Sequence, residues 1–569
     1  MRTGCGRGAE AVNMTGAEIL VRMLAEQNVT HVFGIPGGAV IPLYDALYDA
    51  PFVHLLMRHE QAAVHAADGY ARVSGRPGVC ICTSGPGFTN SVTGLATAFA
   101  DSVPLVLVCG QVATSLIGAD AFQEADVFGG SLAVVKHSFM IRDLSEIAET
   151  VRSAFGIAVA GRPGPVLVEF PVNLQRESGS FVQDAGPSVG LHEPAAPRYG
   201  QDFAGCLRLL EAAERPVILA GGGVVLSNAA DALLSCAEKL QAPVATTLMG
   251  KGSFPESCAL ALGMAGMHGT PQANLALSEA DVILAIGARF SDRTTGAVAA
   301  FGRRAKIIHI DIDAAEMGKV VAPHAALVAD AGRALRELTD GLGKANRPSW
   351  EARIRELREH PFNSRCEGES FRPREIIERI RNAFGDAVPV VADVGQNQMW
   401  TALHWKAERP RTFLTSGGLG TMGYALPAAI GASFANALSP VACIAGDGGF
   451  LMNAQELETC VRYAVPVRIF VLNNGCLGMV RQWQELFWNG RCSQTVTGTP
   501  CDFVRLAEAF GIPGFSCSSL RALDAALSDV VFRHGPVLVE CRIAQKENVF
   551  PMVPAGRALE DFLSGAPGA

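Results

Sequence analysis

IAGDGGFLMNAQELETCVRYAVPVRIFVLNN, residues 444–474, joins a glycine-flanked carboxylate to a pair of asparagines through a single crossover. Asp447 follows one apolar run, and Asn474 ends the next apolar run, 27 positions later. In a right-handed strand–helix–strand unit, both residues lie at the same edge of a parallel sheet. The segment therefore predicts an α/β fold with a polar site beyond the carboxyl ends of two neighbouring strands.

The chemistry of this predicted edge suits a divalent cation. A carboxylate, an amide oxygen and nearby backbone carbonyls are hard oxygen ligands, which Mg²⁺ prefers when it also binds a phosphate-bearing molecule. The helix that we expect to begin near Gly449 would offer free N–H groups to the same anion. Gly-Asp-Gly by itself is most often an ordinary turn, and it is the asparagine pair one crossover later that favours a magnesium diphosphate site.

The same alternation of apolar runs and amphipathic stretches extends over the whole chain. Continuous Val/Ile/Leu runs separated by helices predict parallel sheets covered on both faces, here three open, mostly parallel α/β domains. Each domain is represented by its clearest strand runs: HVFGI, VCICTSG and PLVLVCG; PVILAGGG, DVILAIG and KIIHIDID; VVADVG, VACIAGDGG, VRIFVLNN and PVLVECRI.

Two segments without periodicity divide the chain. Residues 174–200 are rich in Gly, Pro and Ser, and residues 342–373 are charged, contain several prolines and hold a short helix, so both are predicted linkers. We accordingly predict a disordered extension at 1–13 and domains at 14–178, 200–342 and 373–555.

Composition excludes several classes of function. The chain has 569 residues, a formal net charge of −8 and a pI near 5.9, which argues against nucleic acid or an anionic membrane as a partner. No apolar run reaches the roughly 20 residues of a membrane-spanning helix. The 15 cysteines are scattered without a CxxC pair, a usage typical of reduced thiols in a cytoplasmic protein.

Glycine-rich turns follow many of the predicted strands. Any single one is explained by a tight strand-to-helix turn, but six together indicate close backbone approach to large phosphate-bearing ligands. In the middle domain, acids at the end of KIIHIDID suit ribose hydroxyls, although the GxGxxG fingerprint is absent, so the residues alone indicate only a nucleotide-like site. The six turns are GIPGGAV, TSGPGFTN, AGGGVV, LAIGARF, SGGLGTMG and AGDGG.

The Gly-Asp-Gly and Asn-Asn spacing resembles the fingerprint of thiamine-diphosphate enzymes. From Met14 to about Leu563, further motifs resemble the large, catalytic subunits of the acetolactate synthase (acetohydroxyacid synthase) family. The motifs that carry the resemblance are GIPGGAVIPLYDAL, RHEQAAVHAADGYAR, LIGADAFQEAD, VVKHSF, GRPGPVLVEFP, TLMGKGSFP, GMHGT, GARFSDRTTG, DIDAAEMGK, DVGQNQMW, SGGLGTMGYALPAAIGA, LGMVRQWQELF and NVFPMVPAGRALEDF.

The resemblance implies a reaction. It implies a transferase that condenses two pyruvates to 2-acetolactate and CO₂, or pyruvate and 2-oxobutyrate to 2-aceto-2-hydroxybutyrate, in branched-chain amino-acid biosynthesis. One alternative is another thiamine-diphosphate-dependent 2-oxoacid decarboxylase, carboligase or oxidase. Another is a nicotinamide dehydrogenase or a non-catalytic nucleotide-binding module, which would leave the Asp447–Asn474 spacing unexplained.

The resemblance also assigns residues to thiamine diphosphate and magnesium. Glu60 matches the carboxylate that hydrogen-bonds the aminopyrimidine ring, a role that needs a proton donor at the far ring nitrogen; taken alone, Glu60 is more simply a first-turn helix acid. The implied magnesium ligands are Asp447, Asn474 and the backbone carbonyl of Cys476. The other implied contacts of thiamine diphosphate are Gln396, Asn397, Gly420, Thr421, Met422, Gly448, Gly449, Leu477, Gly478 and Met479.

The middle domain resembles the FAD-binding domain of the family, whose flavin takes no part in net turnover. Its implied FAD contacts are Arg162, Gly222, Leu248, Met249, Met267, His268, Gly287, Arg289, Asp311, Ile312 and Asp330.

Four more residues are implied in substrate handling. Arg293 matches an arginine that faces the substrate carboxylate, and Trp483 matches a tryptophan that shapes the acceptor pocket; without the family context, Trp483 is an ordinary helix-face aromatic. Gln123 and Lys136 match residues that line the access channel or active site.

The resemblance further implies an assembly. In the family the cofactor lies between the first domain of one subunit and the third domain of another, so a homodimer is the minimal active unit, commonly with a small regulatory subunit. The chain departs from the usual family residues at Phe88, Cys109, Ala113 and Ser291. We expect Phe88 to crowd a cofactor loop and Ser291 to affect the flavin site.

Overall fold

The structure is a computed structural model that describes residues 12–182, 201–360, 371–498 and 500–565, without the side chains of 201 and 202. Three six-stranded sheets carry the fold, and all of their strand pairings are parallel. The predicted α/β fold class with three parallel-sheet domains is therefore confirmed. Within the described ranges, no helix combines the length and apolar character needed to cross a bilayer.

The first sheet has the strand order β3-β2-β4-β5-β7-β6, and a separate antiparallel pair joins β1 to β8. The elements of this region are β1 Val12–Thr15, α1 Gly16–Glu26, β2 His31–Gly34, α2 Ile41–Leu47, β3 Val53–Leu56, α3 Glu60–Ser74, β4 Gly78–Cys82, α4 Pro86–Asp101, β5 Leu105–Gln111, α5 Val127–Ser131, β6 His137–Met140, α6 Ile147–Val159, β7 Pro165–Pro171, α7 Val172–Arg176 and β8 Ser178–Phe181.

The second sheet has the order β11-β10-β9-β12-β13-β14. Its region contains α8 Gln201–Ala212, β9 Pro216–Ala220, α9 Gly222–Leu226, α10 Ala230–Leu240, β10 Val244–Thr246, β11 Ala261–Met264, α11 Pro271–Glu279, β12 Val282–Ile286, α12 Asp292–Thr295, β13 Lys306–Asp311, β14 Ala325–Val328, α13 Ala331–Gly341 and α14 Pro348–Arg358.

The third sheet has the order β16-β15-β17-β18-β20-β19. Its region contains α15 Pro373–Phe384, β15 Val390–Ala392, α16 Gln396–His404, β16 Phe413–Thr415, α17 Ala425–Ala435, β17 Val441–Gly446, α18 Asp447–Phe450, α19 Leu457–Arg462, β18 Val467–Asn473, α20 Gly478–Phe487, α21 Phe503–Ala509, β19 Gly514–Cys517, α22 Leu520–Val530 and β20 Val537–Arg542.

The central strands explain why the sequence forms these sheets. β5, β7, β12 and β18 are buried along their whole length, as expected of strands that helices cover on both faces. The chain forms two compact units. Among the described residues, the first contains 12–182, Gly418–Thr421 and Ile430–Ala437, and the second contains 201–360, 371–417, Met422–Ala429, 438–498 and 500–565.

Two expectations about the ends of the first domain need correction. The predicted linker 174–200 begins with structure, since α7 and β8 occupy seven of its first eight positions. β8 pairs with β1, which begins within the predicted extension 1–13. Both strands are short and partly exposed, so no apolar run marks them. The rest of the extension and positions 183–200 lie outside the described residues, and the domain limits at 14–178, 200–342 and 373–555 stay predictions. The short helix predicted between 342 and 373 is α14.

Candidate functional site

The carboxyl ends of β17 and β18 bring together the three predicted magnesium ligands. The two strands are neighbours in parallel register, so Asp447 and Asn474 lie at the same edge of the third sheet. The backbone N–H groups of Gly448, Asn474 and Cys476 all act on the Asp447 carboxyl. The Asn474 Oδ1 accepts from the Cys476 N–H at 3.2 Å. One carboxylate, one amide oxygen and the turn that carries the Cys476 carbonyl are therefore adjacent.

Asp447 is a buried acid with a perturbed pKa. Burial raises the pKa of its carboxyl to about 6, against the opposing effect of the surrounding backbone N–H groups. A buried carboxylate of this kind favours a cation that restores the charge balance. No group of three or more His, Cys, Asp or Glu side chains suited to a metal occurs in the described part of the chain. The donor set here fits magnesium in another way, through one carboxylate with an amide and a carbonyl oxygen.

The two asparagines have different roles. Asn473 is buried within β18, and its Nδ2 donates to the Glu540 carboxylate at 2.7 Å, which ties neighbouring strands together. Asn474 lies past the strand end, and its Nδ2 donates to the Gln396 Oε1 at 3.0 Å. The second asparagine alone therefore belongs to the polar edge, where it meets another residue predicted to contact the cofactor.

Glycines at this edge allow neighbouring side chains to pack directly against the backbone. A Cβ at Gly478 would overlap the Gln396 Oε1, and a Cβ at Gly448 would lie 2.6 Å from Leu477 Cδ2 and 3.8 Å from Met422 Cε. The expected helix after the Gly-Asp-Gly begins at Asp447 rather than Gly449 and lasts only four residues. The longer helix that begins at this edge is α20, starting at Gly478. The predicted contacts Met422, Gly448, Leu477 and Gly478 are thus close together.

Asp393 is a residue of this edge that sequence reasoning missed. It follows β15, is buried, and accepts N–H bonds from Val394 at 2.9 Å, Gly423 at 3.0 Å and Ala425 at 2.9 Å. A Cβ at Gly449 would overlap its carboxylate. Burial raises the pKa of the Asp393 carboxyl to about 6. Asp393 thus ties the chain just after Met422 to the Gly-Asp-Gly turn; its position at a strand end was the available signal.

Gln396 and Asn397 begin helix α16 and are both buried. The Asn397 Nδ2 donates to the Asp393 carbonyl at 2.7 Å, and this bond fixes the side chain beside the end of β15. The Gln396 Nε2 donates to the Gln482 Oε1 and to the Glu547 carbonyl, both at 2.9 Å. Gln482, which no sequence signal marked, therefore joins α20 and the C-terminal segment to the polar edge.

Glu60 opens helix α3 in the first unit. His59 caps the helix by accepting from the Gln61 N–H at 3.1 Å. The Asn90 Nδ2 on helix α4 donates to the Glu60 Oε2 at 3.0 Å, and the carboxylate is only half-buried. The Asn90 contact therefore fixes one oxygen of the Glu60 carboxylate at the start of the helix.

Two of the predicted cofactor-loop residues belong to the same unit as Glu60. Gly420 has a φ of 76°, a left-handed conformation that favours glycine. The Thr421 hydroxyl lies 2.7 Å from the Thr97 hydroxyl of helix α4. This part of the loop is thus fixed on the helices of the first sheet.

The second unit brings Arg293 and Trp483 together, although 190 positions separate them. The Arg293 guanidinium lies over the Trp483 ring, 5.3 Å from the ring centre. The Met267 N–H donates to the Arg293 carbonyl at 2.7 Å, and the guanidinium contacts the Met267 Sδ at 3.7 Å. The arginine side chain is 55% exposed. A half-exposed cation beside an indole wall is an arrangement that can bind a small carboxylate with an apolar tail.

Gln123 and Lys136 lie in the first unit with different surroundings. Gln123 has a φ of 59°, and its carbonyl would lie 2.8 Å from a Cβ at Gly85, in the loop TSGPGFTN. The Lys136 Nζ donates to the carbonyls of Ile157 at 2.5 Å and Ala160 at 2.6 Å, at the end of helix α6. Burial lowers the pKa of Lys136 to about 8. Lys136 therefore caps a helix here, and its predicted place in the access channel stays a prediction.

The middle sheet has a crossing of glycine backbones at its carboxyl edge. The Gly223 N–H donates to the Gly287 carbonyl at 3.1 Å. Gly287 has a φ of 57°, and a Cβ there would lie 2.6 Å from the Gly223 Cα. A Cβ at Gly222 would lie 3.2 Å from Met249 Cβ. The ends of β9 and β12 thus bring partly buried glycine backbone together at the carboxyl edge of the sheet, the edge at which open α/β sheets bind ligands.

The other predicted FAD contacts differ in how the structure uses them. Asp330 caps helix α13 by accepting from the Arg333 N–H at 2.9 Å, and Asp311 accepts from the Asp313 N–H at the same distance. His268 is buried, with its Nδ1 3.3 Å from the Pro551 carbonyl, and burial lowers its pKa to about 4. The second unit also contains the predicted FAD contacts Leu248, Met249, Met267, Arg289 and Ile312. Arg162 lies in the first unit instead, where its Nε donates to the Ser102 hydroxyl at 2.8 Å.

Two departures from the family pattern have defined surroundings. Phe88 is buried on α4, and its ring edge would lie 2.9 Å from a Cβ at Gly130 on helix α5. The Ser291 hydroxyl lies 3.2 Å from the Thr294 hydroxyl before helix α12. Their predicted effects on cofactor and flavin stay predictions.

Comparison with known proteins gives three family matches in chain order. Residues 14–129 match the thiamine pyrophosphate enzyme N-terminal TPP binding domain, residues 204–338 match the central domain, and residues 393–541 match the C-terminal TPP binding domain. The last match begins at Asp393 and contains the whole polar edge around Asp447.

Full-length relatives agree with these matches. The chain is 46% identical over 564 residues to the probable acetolactate synthase large subunit of Methanocaldococcus jannaschii, covering 97% of this chain and 95% of that protein. It is 44% identical over 551 residues to the acetolactate synthase isozyme 2 large subunit of Escherichia coli, covering 97% and 99%. It is 43% identical over 559 residues to the acetolactate synthase large subunit of Parasynechococcus marenigrum, covering 96% and 90%.

Proposed function

This chain belongs to the thiamine pyrophosphate enzymes, in the family of acetolactate synthase large subunits, and from that premise we propose that it condenses two pyruvates to 2-acetolactate and CO₂. With 2-oxobutyrate as acceptor, the product is 2-aceto-2-hydroxybutyrate, and both reactions lead to branched-chain amino acids. The observation that carries the proposal is the contact between Arg293 and Trp483, which supplies a cation for the acceptor carboxylate and an apolar wall for its tail.

We propose that Asp447, Asn474 and the Cys476 carbonyl hold Mg²⁺, which anchors the diphosphate of the cofactor. Thiamine diphosphate, when bound, supplies the nucleophilic carbon and the electron sink for decarboxylation. The proposal is supported by the adjacency of the three ligands and by the raised pKa of the Asp447 carboxyl. Gln396 and the start of α20 would bind the diphosphate, and Met422 would support the bend of the cofactor.

The other residues bind or move protons. Glu60 would hold a proton at the aminopyrimidine ring, and Asn90 orients its carboxylate. Arg293 would bind the acceptor carboxylate, and Trp483 would exclude water from the acceptor pocket.

We further propose FAD as a second cofactor in the middle domain, where the glycine crossing at the ends of β9 and β12 supports a nucleotide site. The active assembly is a homodimer in which Glu60 and Asp447 of different chains share a cofactor. The large-subunit names of the relatives support a small regulatory partner. The free thiols of the thirteen cysteines in the described ranges support a cytoplasmic location.

The test is product analysis with pyruvate, thiamine diphosphate and Mg²⁺, with and without FAD. We expect acetolactate; acetaldehyde would indicate a decarboxylase, and acetyl phosphate an oxidase. Asp447→Ala should lose Mg²⁺-dependent affinity for thiamine diphosphate, because the diphosphate then faces uncompensated negative charge. Asp340→Ala, at an exposed position of helix α13, is the control. An unchanged cofactor requirement in Asp447→Ala would contradict the magnesium site.

A further inference from the structure

A buried carboxylate on helix α4 binds the predicted cofactor loop. The Gly418 N–H donates to the Asp101 Oδ1 at 2.6 Å, across a separation of 317 positions. A Cβ at Gly418 would lie 2.8 Å from that oxygen and 2.9 Å from the Ala100 carbonyl, so only glycine lets the loop lie this close to the end of α4. The loop is therefore fixed at the residue two positions before Gly420.

Asp101 is itself held by an ion-pair network. The Arg72 Nη2 donates to the Asp101 Oδ2 at 2.8 Å, while the Arg72 Nε donates to the Asp68 Oδ1 at 2.6 Å. The side chains of Asp68 and Asp101 are fully buried, and that of Arg72 is 11% exposed. Each Asp101 oxygen thus accepts from a different donor, one on helix α3 and one in the loop. Buried charge-assisted hydrogen bonds of this kind fix geometry more strongly than neutral ones.

A second contact fixes the far end of the same loop segment. The Thr97 hydroxyl donates to the Thr93 carbonyl at 2.9 Å and lies 2.7 Å from the Thr421 hydroxyl. A hydroxyl has one proton, so Thr97 accepts in this second bond and Thr421 donates. Thr97 and Asp101 are four positions apart, on one face of α4. That face therefore holds the loop at Gly418 and at Thr421, with Gly420 between them.

We propose that Asp101 and Thr97 are positioning residues for thiamine diphosphate binding, acting through the loop Gly418–Thr421. The inference rests on the proposed function and on the family resemblance, which implies Gly420 and Thr421 as contacts of the cofactor. Neither residue is a catalytic residue, since Asp101 holds the loop at the Gly418 backbone and Thr97 holds it at the Thr421 hydroxyl. Because the loop is already held in place, binding of the cofactor costs less free energy for ordering the loop.

Asp101→Asn tests the carboxylate. The groups of Gly418 and Arg72 that bond this carboxylate are both N–H donors. Whichever way the amide of asparagine turns, its NH₂ group faces one of these donors and a hydrogen bond is lost. Loss of one hydrogen bond to a charged group should raise the dissociation constant of thiamine diphosphate about ten-fold or more. The constant is measured by calorimetry in the presence of Mg²⁺. Hydrogen–deuterium exchange of the peptide that covers 416–422 should accelerate in the cofactor-free protein.

Asp68→Asn is the matched control, because it makes the same change at a buried carboxylate one helical turn from the same arginine. We expect its cofactor affinity to stay within about two-fold of wild type, and its loop exchange to stay at the wild-type rate. An equal loss of cofactor affinity in Asp101→Asn and Asp68→Asn would mean that the ion pairs of Arg72 only stabilise the fold, and it would overturn the proposal. So would a folded Asp101→Asn protein with wild-type affinity.

Thr97→Val and Thr97→Ser test the second contact independently. Valine removes the acceptor at nearly constant volume, and serine restores it, so we expect weaker cofactor binding in the first and recovery in the second. Saturating thiamine diphosphate should restore the KM for pyruvate in every variant. Wild-type protein is measured first: failure of wild type to bind the cofactor contradicts the proposed function, whereas normal binding by wild type, Asp101→Asn and Thr97→Val contradicts only this inference.

Discussion

Trp483→Leu should shift the choice of acceptor away from 2-oxobutyrate. The Arg293 guanidinium lies over the Trp483 ring, 5.3 Å from the ring centre, so removal of the indole takes away one wall of the proposed acceptor pocket and a neighbour of the group proposed to bind the carboxylate. In the proposed reaction the donor pyruvate loses CO₂ before the acceptor reacts, so we expect the first decarboxylation to continue in the variant. The substitution therefore separates acceptor choice from the earlier step.

The structure sets the size of the effect. An apolar wall discriminates one methylene by about 1–3 kcal/mol, roughly 10–200-fold in the ratio of the two products. The arginine–indole contact adds about 0.5–1 kcal/mol, the value for an exposed cation, because the Arg293 side chain is 55% exposed. The indole Nε1 is buried without a hydrogen-bond partner among the described residues. Leucine removes this unsatisfied donor, so the loss of stability should be smaller than for a fully satisfied core tryptophan.

The assay supplies pyruvate and 2-oxobutyrate together and quantifies both acetohydroxy acids. Trp483→Phe keeps an aromatic wall and should retain most of the preference. Trp488→Leu is the control, since Trp488 follows the same helix and is 61% exposed. A double-mutant cycle with Arg293→Met should give a coupling of about 0.5–1 kcal/mol, a factor of roughly 2–5.

A wild-type product ratio in Trp483→Leu would refute this reasoning. Trp483 would then be a packing residue of α20, and the acceptor pocket would have to be formed by other side chains. Zero coupling with Arg293 would separately show that the contact has no part in acceptor binding.

Three further substitutions test other parts of the site. Glu60→Gln keeps the shape of the side chain and an oxygen for the Asn90 contact but removes the proton donor. Cofactor binding should therefore persist, while hydrogen–deuterium exchange at C2 of the bound cofactor slows severely. Exchange at the wild-type rate would exclude Glu60 as the proton donor to the aminopyrimidine ring. Asp393→Asn removes an acid whose pKa in the folded protein is about 6, raised by burial from 3.8. Because the folded state binds the proton more tightly, the free energy of unfolding of the wild type falls by up to about 3 kcal/mol as the pH rises from 3.8 to 6. The melting temperature of the variant relative to wild type should therefore rise between pH 4 and pH 6 and level off above, and a pH-independent difference would contradict the shift. Gly287→Ala places a Cβ 2.6 Å from the Gly223 Cα at a positive φ, which costs about 1–3 kcal/mol, and the purified variant should lack flavin absorbance. Gly343→Ala is the control, because a Cβ there meets no atom within 4 Å, and it should keep the flavin absorbance. Flavin absorbance in both variants would exclude the Gly223–Gly287 crossing as the flavin site.

The strand-end rule explains what the sequence could predict. Asp447 and Asn474 follow apolar runs, and a single crossover separates them, so their shared edge follows from local pattern and chain handedness. Asp393 follows a strand by the same rule, but its partners Gly423 and Ala425 lie in a loop whose path no pattern reveals.

Contacts between distant segments of the chain and short polar strands are the features that the sequence could not predict. The contact of Arg293 with Trp483 and that of Asp101 with Gly418 join segments about 190 and 317 positions apart, which only the tertiary fold brings together. The β1–β8 pair lacks an apolar run, because its residues are partly exposed. Lys136 was named by resemblance, and only its contacts with two helix-end carbonyls show that it also caps α6.

Helix α3 has a mechanical consequence. Glu60 is its first residue and Arg72 lies in its last turn, and their Cα atoms are about 18 Å apart along the helix axis. Through Arg72 and Asp101, the helix is fastened to the loop Gly418–Thr421 of the same chain. In the proposed dimer, that loop serves one cofactor and Glu60 serves the other. Each chain of that dimer would then connect two active sites through one helix, and we expect a substitution that displaces the loop at one site to alter the position of Glu60 at the other.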